Sequence, residues 1–119
     1  MNLSKVRIVA GWVLTVLLAL GFLAASAGKL TGAATPMFAH WGYPAWFATL
    51  IGILELAGAV GLLIPRMTRY AVLGLTVVMC GAAYTHLANH EGLQVLRPAI
   101  FLVLLWVAWW LRQTPRHSG

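Results

Sequence analysis

The sequence predicts an all-α fold, a transmembrane four-helix bundle with a short interfacial segment between helices 1 and 2. Three observations carry this. Of the 119 residues, 61% are hydrophobic and 8% charged, against about 25% charged in an ordinary soluble domain. Four apolar runs approach or reach the ~20 residues that a membrane-spanning helix needs. These runs are rich in Leu and Ala and lack the period-two alternation of a membrane β-barrel. So few charges cannot cover the surface of a soluble chain this size. That excludes an ordinary globular enzyme and a disordered tail.

The first helix is expected at 8–28, closed by Lys29 with Gly32 after it. Lys5 and Arg7, the apolar run and Ala25-Ser26-Ala27 together resemble a signal peptide with an A-x-A cleavage site. The uninterrupted run at 8–25 is longer than the ~7–15 residues of a signal core, so a retained span is expected. Thr35 and Pro36 suit the cap and first position of a short helix. Met37, Phe38 and Trp41 would share its apolar face, Gly42 would end it, and it would lie in the membrane interface.

The second long helix is expected at 44–64, between Pro44 and Pro65, because proline cannot continue a helix. The third is expected at 70–87, with a turn at Gly92. The fourth is expected at about 95–111, with Pro98 in its first turn. No internal repeat and no linker divides the chain, so 1–119 reads as one domain.

The basic residues carry orientation. Lys5, Arg7, Arg66, Arg69, Arg112 and Arg116 fall on one side of the expected spans; Lys29 and Arg97 fall on the other, with Glu91 against them. The positive-inside rule then puts both termini in the cytoplasm. Trp12, Tyr70, Trp106, Trp109 and Trp110 would mark the inner interface, and Trp41, Tyr43, Trp46 and Tyr84 the outer one. The net charge of +6 is dispersed in ones and twos and makes no phosphate-binding stripe, so no nucleic acid is expected. The single cysteine, Cys80, cannot form an internal disulfide and reads as a buried, inert thiol.

Glu55 is the candidate catalytic residue. It lies ten or eleven residues from each flanking proline, near the bilayer midplane at ~1.5 Å per residue. An ionisable group there is costly and by default functional. Its helical face carries Ala48, Gly52 and Ala59, with Gly58 beside it, which points it into the bundle. The structural alternative is a protonated Glu bonding helix to helix.

Lys29 either snorkels at the outer surface or turns inward toward Glu55. The second option has to bridge a depth difference by tilt, a dipping stem, a water or a ligand. His86 shares a face with Met79, Ala82 and Ala83 and would line a cavity. His90 lies four residues on and His40 in the outer loop, a spacing able to hold a metal. But Gly92 suggests that the helix is ending by His90, and no metal is assigned. A quinone-linked disulfide oxidoreductase needs a dithiol pair, which one cysteine does not supply.

At these residues the chain resembles the DoxX-like family of small four-helix membrane proteins. The match is carried by Gly28-Lys29-Leu30, the aromatic segment MFAHWGYPAWF at 37–47, and Gly52, Glu55 and Gly58 in the G-x-x-E-x-x-G core of the second long helix. Ile64-Pro65-Arg66 and His86 complete it. The resemblance implies the four-helix fold and an association with membrane oxidoreductase complexes, thiosulfate:quinone oxidoreductase among them, and with oxidative-stress defence. Related animal proteins are assembly chaperones for receptor channels.

The expected function is therefore an accessory or quinone-linked subunit of a membrane redox system in the bacterial inner membrane. Glu55 would hold or relay a proton. Lys29, His86, His40 and Tyr43 would bind a polar headgroup at a mouth open to the outer face. Quinone is the candidate cofactor. Lipid, other membrane proteins or a second copy of the chain are the candidate partners. The alternative is a non-enzymatic membrane chaperone or assembly factor. A small transporter is a third reading, which would require an oligomer.

Overall fold

The computed structural model describes residues 2–113. Arg116, counted above among the orienting charges, lies outside them. Five α-helices occur among the described residues: α1 (Leu3–Leu30), α2 (Thr35–His40), α3 (Ala45–Leu63), α4 (Thr68–Ala88) and α5 (Leu96–Arg112). A 3-10 turn, Gly92–Val95, leads into α5. There is no strand among the described residues. Four of these segments are long and apolar enough to cross a bilayer.

The element ends follow local chemistry. α1 starts five residues before its apolar run because the Asn2 side chain accepts the Ser4 N–H at 2.9 Å and caps it. In α2 the cap is Ala34 rather than Thr35. Thr35 takes the first helical position and Pro36 the second, where the missing N–H costs nothing. Gly42 follows α2 at φ +90°, a conformation open to glycine. α4 stops at Ala88, and His90 sits at φ 61° in the turn beyond it.

The four long helices pack in the cyclic order α1, α3, α4, α5, each chiefly against its two neighbours. We call the end holding the start of α1, the α3–α4 connection and the end of α5 the terminal end. The opposite end, with α2 and the 3-10 turn, is the loop end. The core is a stripe from each helix: Leu18, Ala19 and Phe22; Ala59 and Leu62; Val72 and Leu75; Leu105 and Ala108.

Lipid tails are as apolar as such a core, so close packing rather than water exclusion holds membrane helices together. Small residues supply it. A Cβ on Gly58 would sit 2.6 Å from the Leu75 side chain, and one on Gly61 3.0 Å from Ala71. These approaches clamp α3 to α4 near their short connection. Large apolar residues such as Val13, Leu17, Ile53, Val77 and Val103 cover the outside. The protein is an integral membrane protein.

Two expectations need correction. Cys80 is exposed rather than buried. α4 buries Val72, Leu75 and Met79, spaced three and four apart, with Ala71 beside them, and position 80 falls a hundred degrees on from Met79. Trp106 sits deeper than an interface belt, its Nε1–H donating to Thr76 Oγ1 at 2.9 Å within α4.

The slide of α1 along α3 positions the site. A Cβ on Gly52 would lie 3.0 Å from Lys29 Cβ and 3.1 Å from Leu30 Cγ. The last turn of α1 is therefore level with Gly52, seven residues into α3. At ~1.5 Å per residue, α1 stops about 10 Å short of the start of α3.

Candidate functional site

That slide brings the end of α1 down to Glu55, one turn beyond Gly52. Lys29 Nζ lies 2.8 Å from Glu55 Oε1. The contact is direct, and the depth difference expected from the sequence vanishes because α1 ends inside the bundle. Glu55 is 3% exposed, with Ala48, Gly52, Gly58 and Ala59 buried on the same side of α3. Lys29 Nζ is the ionic partner of the buried Oε1. No other polar group of the described residues reaches this carboxylate. A buried carboxylate normally fills its acceptor sites, so this one has capacity left for a ligand or water.

The pair forms one wall of a cavity of about 390 Å³ between α3, α4 and α2, within the usual range for small-molecule sites. Phe38, Trp41, Tyr43 and Phe47 supply aromatic wall; Ile51, Leu54, Val78 and Met79 supply aliphatic wall. The aromatic residues form a connected cluster around Phe38, with ring centroids 5.3 Å from Trp41, 6.1 Å from Tyr43 and 6.2 Å from Phe47.

The polar groups at the loop end are tied to one another. The Tyr43 hydroxyl and Thr85 Oγ1 are 2.8 Å apart. Thr85 also donates to the Gly81 carbonyl at 2.9 Å, which leaves Tyr43 to donate to Thr85. His86 Nδ1 is 2.8 Å from Glu91 Oε1, and Trp41 Nε1–H donates to the same oxygen at 3.1 Å. The Trp41 and His86 rings meet edge to face at 5.3 Å. The hydrogen bond from His86 holds the Glu91 carboxyl below its ordinary range; the Trp41 indole adds to this, against some desolvation.

Lys29, Glu55, Tyr43 and His86 therefore line one cavity. His40 does not join them. On a six-residue helix whose buried residue is Phe38, position 40 is two residues round and points away, exposed. His90 is separated from His86 by the end of α4, which breaks the one-face spacing. Among the described residues no three His, Cys, Asp or Glu side chains are grouped to hold a metal.

Glu91, a loop charge in the sequence, is placed by the fold against His86 and Trp41. The available signal was chemical. It is one of two acidic residues in the chain, five positions after a histidine.

The sequence profile of the DoxX-like family matches residues 13–108. An uncharacterized protein of Bacillus subtilis, YdgD, is 35% identical over 71 residues, which cover 55% of this chain and 62% of that relative. The chain thus aligns with less than two thirds of the relative's length. No solved structure matches the chain significantly. The chain belongs to the DoxX-like family.

Proposed function

We propose that this DoxX-like membrane protein binds a quinone-type headgroup at the Lys29–Glu55 pair and serves as a quinone-linked accessory subunit of a membrane redox system. The observation that carries the reading is a cavity of about 390 Å³, walled by aromatic and aliphatic side chains, with a buried ion pair in its wall. A quinone is flat, apolar across its ring, and accepts hydrogen bonds at its carbonyl oxygens. The Phe38, Tyr43 and Phe47 rings suit the flat face. The Lys29 ammonium keeps donors free beyond its contact with Glu55 and suits a carbonyl oxygen. The open acceptor capacity of Glu55 suits a proton or hydroxyl at the same place. Bound there, a quinone would supply two-electron, two-proton redox chemistry.

The chain's own part in that chemistry is binding, orientation and proton custody. Glu55 is the only carboxylate of the described residues at the cavity wall, and a proton taken up there changes the charge of the pair. Lys29 sets the headgroup's position because its stem is fixed against Gly52. His86 and Tyr43 close the loop-end side.

The orientation we propose has both termini in the cytoplasm of a bacterial inner membrane, supported by the basic residues at the terminal end. A C-terminal alkaline phosphatase fusion should then be inactive and a fluorescent-protein fusion bright. An active phosphatase would invert it.

Calorimetric titration of the protein in lipid nanodiscs with a short-chain benzoquinone tests the headgroup reading. Saturable binding is expected, weakened at least tenfold by Lys29→Met. Wild-type protein that shows no saturable binding would reject it and leave an assembly factor as the reading to pursue.

A further inference from the structure

The loop-end boundary of the cavity and its boundary between α3 and α4 are built differently. The loop-end boundary is laced by side chains. Trp41 reaches across to Glu91, and Tyr43 to Thr85. These contacts tie α2 and the turn after it to α4 and the turn beyond it.

The α3–α4 boundary is built the other way. The two helices touch closely at Gly58 and Gly61, near their connection. Toward the loop end they part, and the residues lining the cavity there also lie on the outside of the bundle. Val77 lines the cavity and is 72% exposed; Tyr84 lines it and is 69% exposed. Leu54, opposite them on α3, is likewise both lining and exposed. A Cβ on Gly81, between Val77 and Tyr84 on α4, would meet no atom within 4 Å. A side chain that borders an interior cavity and the exterior at once marks an opening. The exterior here is apolar, with Ile53, Leu73 and Val77 facing out, so the opening meets lipid tails rather than water.

We infer that the cavity opens sideways into the bilayer through the seam between α3 and α4. Its ligand is amphipathic, with a polar head at Lys29–Glu55 and an aliphatic tail that leaves between Leu54 and Val77 into the hydrocarbon. The inference rests on the headgroup reading above and adds to it the route and the tail. A tail left in lipid loses no apolar environment on binding, and the ligand reaches the site without crossing water. The loop end, laced by Trp41–Glu91 and Tyr43–Thr85, is the more closely tied boundary, although Met37 on α2 also lines the cavity and is half exposed. Gly81 lines the cavity with open space beside it, which a larger residue would enter.

Two probes with one benzoquinone head separate the claims. One carries no chain and the other carries a decyl chain. Each is titrated into wild-type protein, Val77→Trp and Gly74→Trp in nanodiscs. Gly74 is the control. It lies on the same helix with open space around its Cβ and does not line the cavity. Thermal unfolding checks that all three proteins are folded. The seam predicts that Val77→Trp weakens the decyl probe at least tenfold more than the chainless one, while Gly74→Trp leaves their ratio at the wild-type value. An unchanged ratio in Val77→Trp, or the same shift in Gly74→Trp, overturns the seam while leaving the headgroup site standing. Failure of wild-type protein to bind the chainless probe overturns the headgroup reading and the seam with it.

Discussion

Two charged centres of the bundle, Arg112 at the terminal end and Lys29–Glu55 midway along α3, are built oppositely. At the terminal end Arg112 lies among α1, α3 and α4. Its Nη1 donates to the Leu62 carbonyl at 2.8 Å and to Thr15 Oγ1 at 3.4 Å, and its Nη2 donates to Thr68 Oγ1 at 3.0 Å. Its guanidinium carbon stacks 3.6 Å from the Trp12 ring centroid. The gap it shares with Thr15, Leu62 and Thr68 is too small to hold a water molecule. Toward the loop end, the Lys29–Glu55 pair has an ionic contact, spare hydrogen-bonding capacity and a cavity beside it. The first centre spends its donors on the protein and fastens three helices. The second holds them back. Burying a charge costs free energy in either place, and only at the second does the fold leave room for something else to use it.

Arg112→Ala should produce the largest loss of stability. It strips donors from a carbonyl and two hydroxyls that have no solvent to turn to, and hydrogen bonds to a charged group are each worth about 1.5–3 kcal/mol. We expect about 3 kcal/mol lost in reversible unfolding in detergent, with quinone affinity of the folded fraction unchanged. Weakened affinity at full stability would break the contrast between the two centres.

Lys29→Met should lie between. It leaves Glu55 without its cation, and the carboxyl can take a proton to limit the cost, so about 1–3 kcal/mol is expected. Its affinity loss should exceed what unfolding explains. If the double variant Lys29→Met/Glu55→Gln loses less stability than the sum of the two single losses, the pair is one unit.

Glu91→Gln should have the smallest effect and sharpens the comparison by pH. The folded Glu91 carboxyl is held below its ordinary range, chiefly by His86. Its contribution is therefore present above the ordinary carboxylate range and is lost as pH falls through the lowered folded value. Thermal midpoints between neutral and acid pH should fall less steeply in Glu91→Gln than in wild type. Equal slopes would show that the Glu91 contact contributes nothing to stability.

The two centres were unequally legible in the sequence. The fold and the burial of Glu55 follow from periodicity within one chain segment, because Ala48, Gly52, Gly58 and Ala59 fix which face of α3 is packed. The Lys29 contact depends on how far α1 slides along α3, and no single-helix pattern encodes that distance. Only the close approach at Gly52 reveals it. Arg112 reads in sequence as an orienting charge at a helix end. Its partners Thr15, Leu62 and Thr68 are far away in the chain, and nothing local announces them. His40 falls outside the cavity lining because, two residues on from the buried Phe38 along α2, it shares that residue's neighbourhood but not its face.

The central claim is that Glu55 is kept for what enters the cavity rather than for holding the helices. Glu55→Gln preserves the shape and an acceptor for Lys29 while removing the charge and the titratable proton. Thermal stability and quinone affinity should be measured on the same nanodisc preparation. The account predicts stability close to that of wild type, because the amide oxygen still faces the Lys29 ammonium, together with affinity reduced at least tenfold. Full affinity with reduced stability would make Glu55 a second structural clasp like Arg112 and contradict the account.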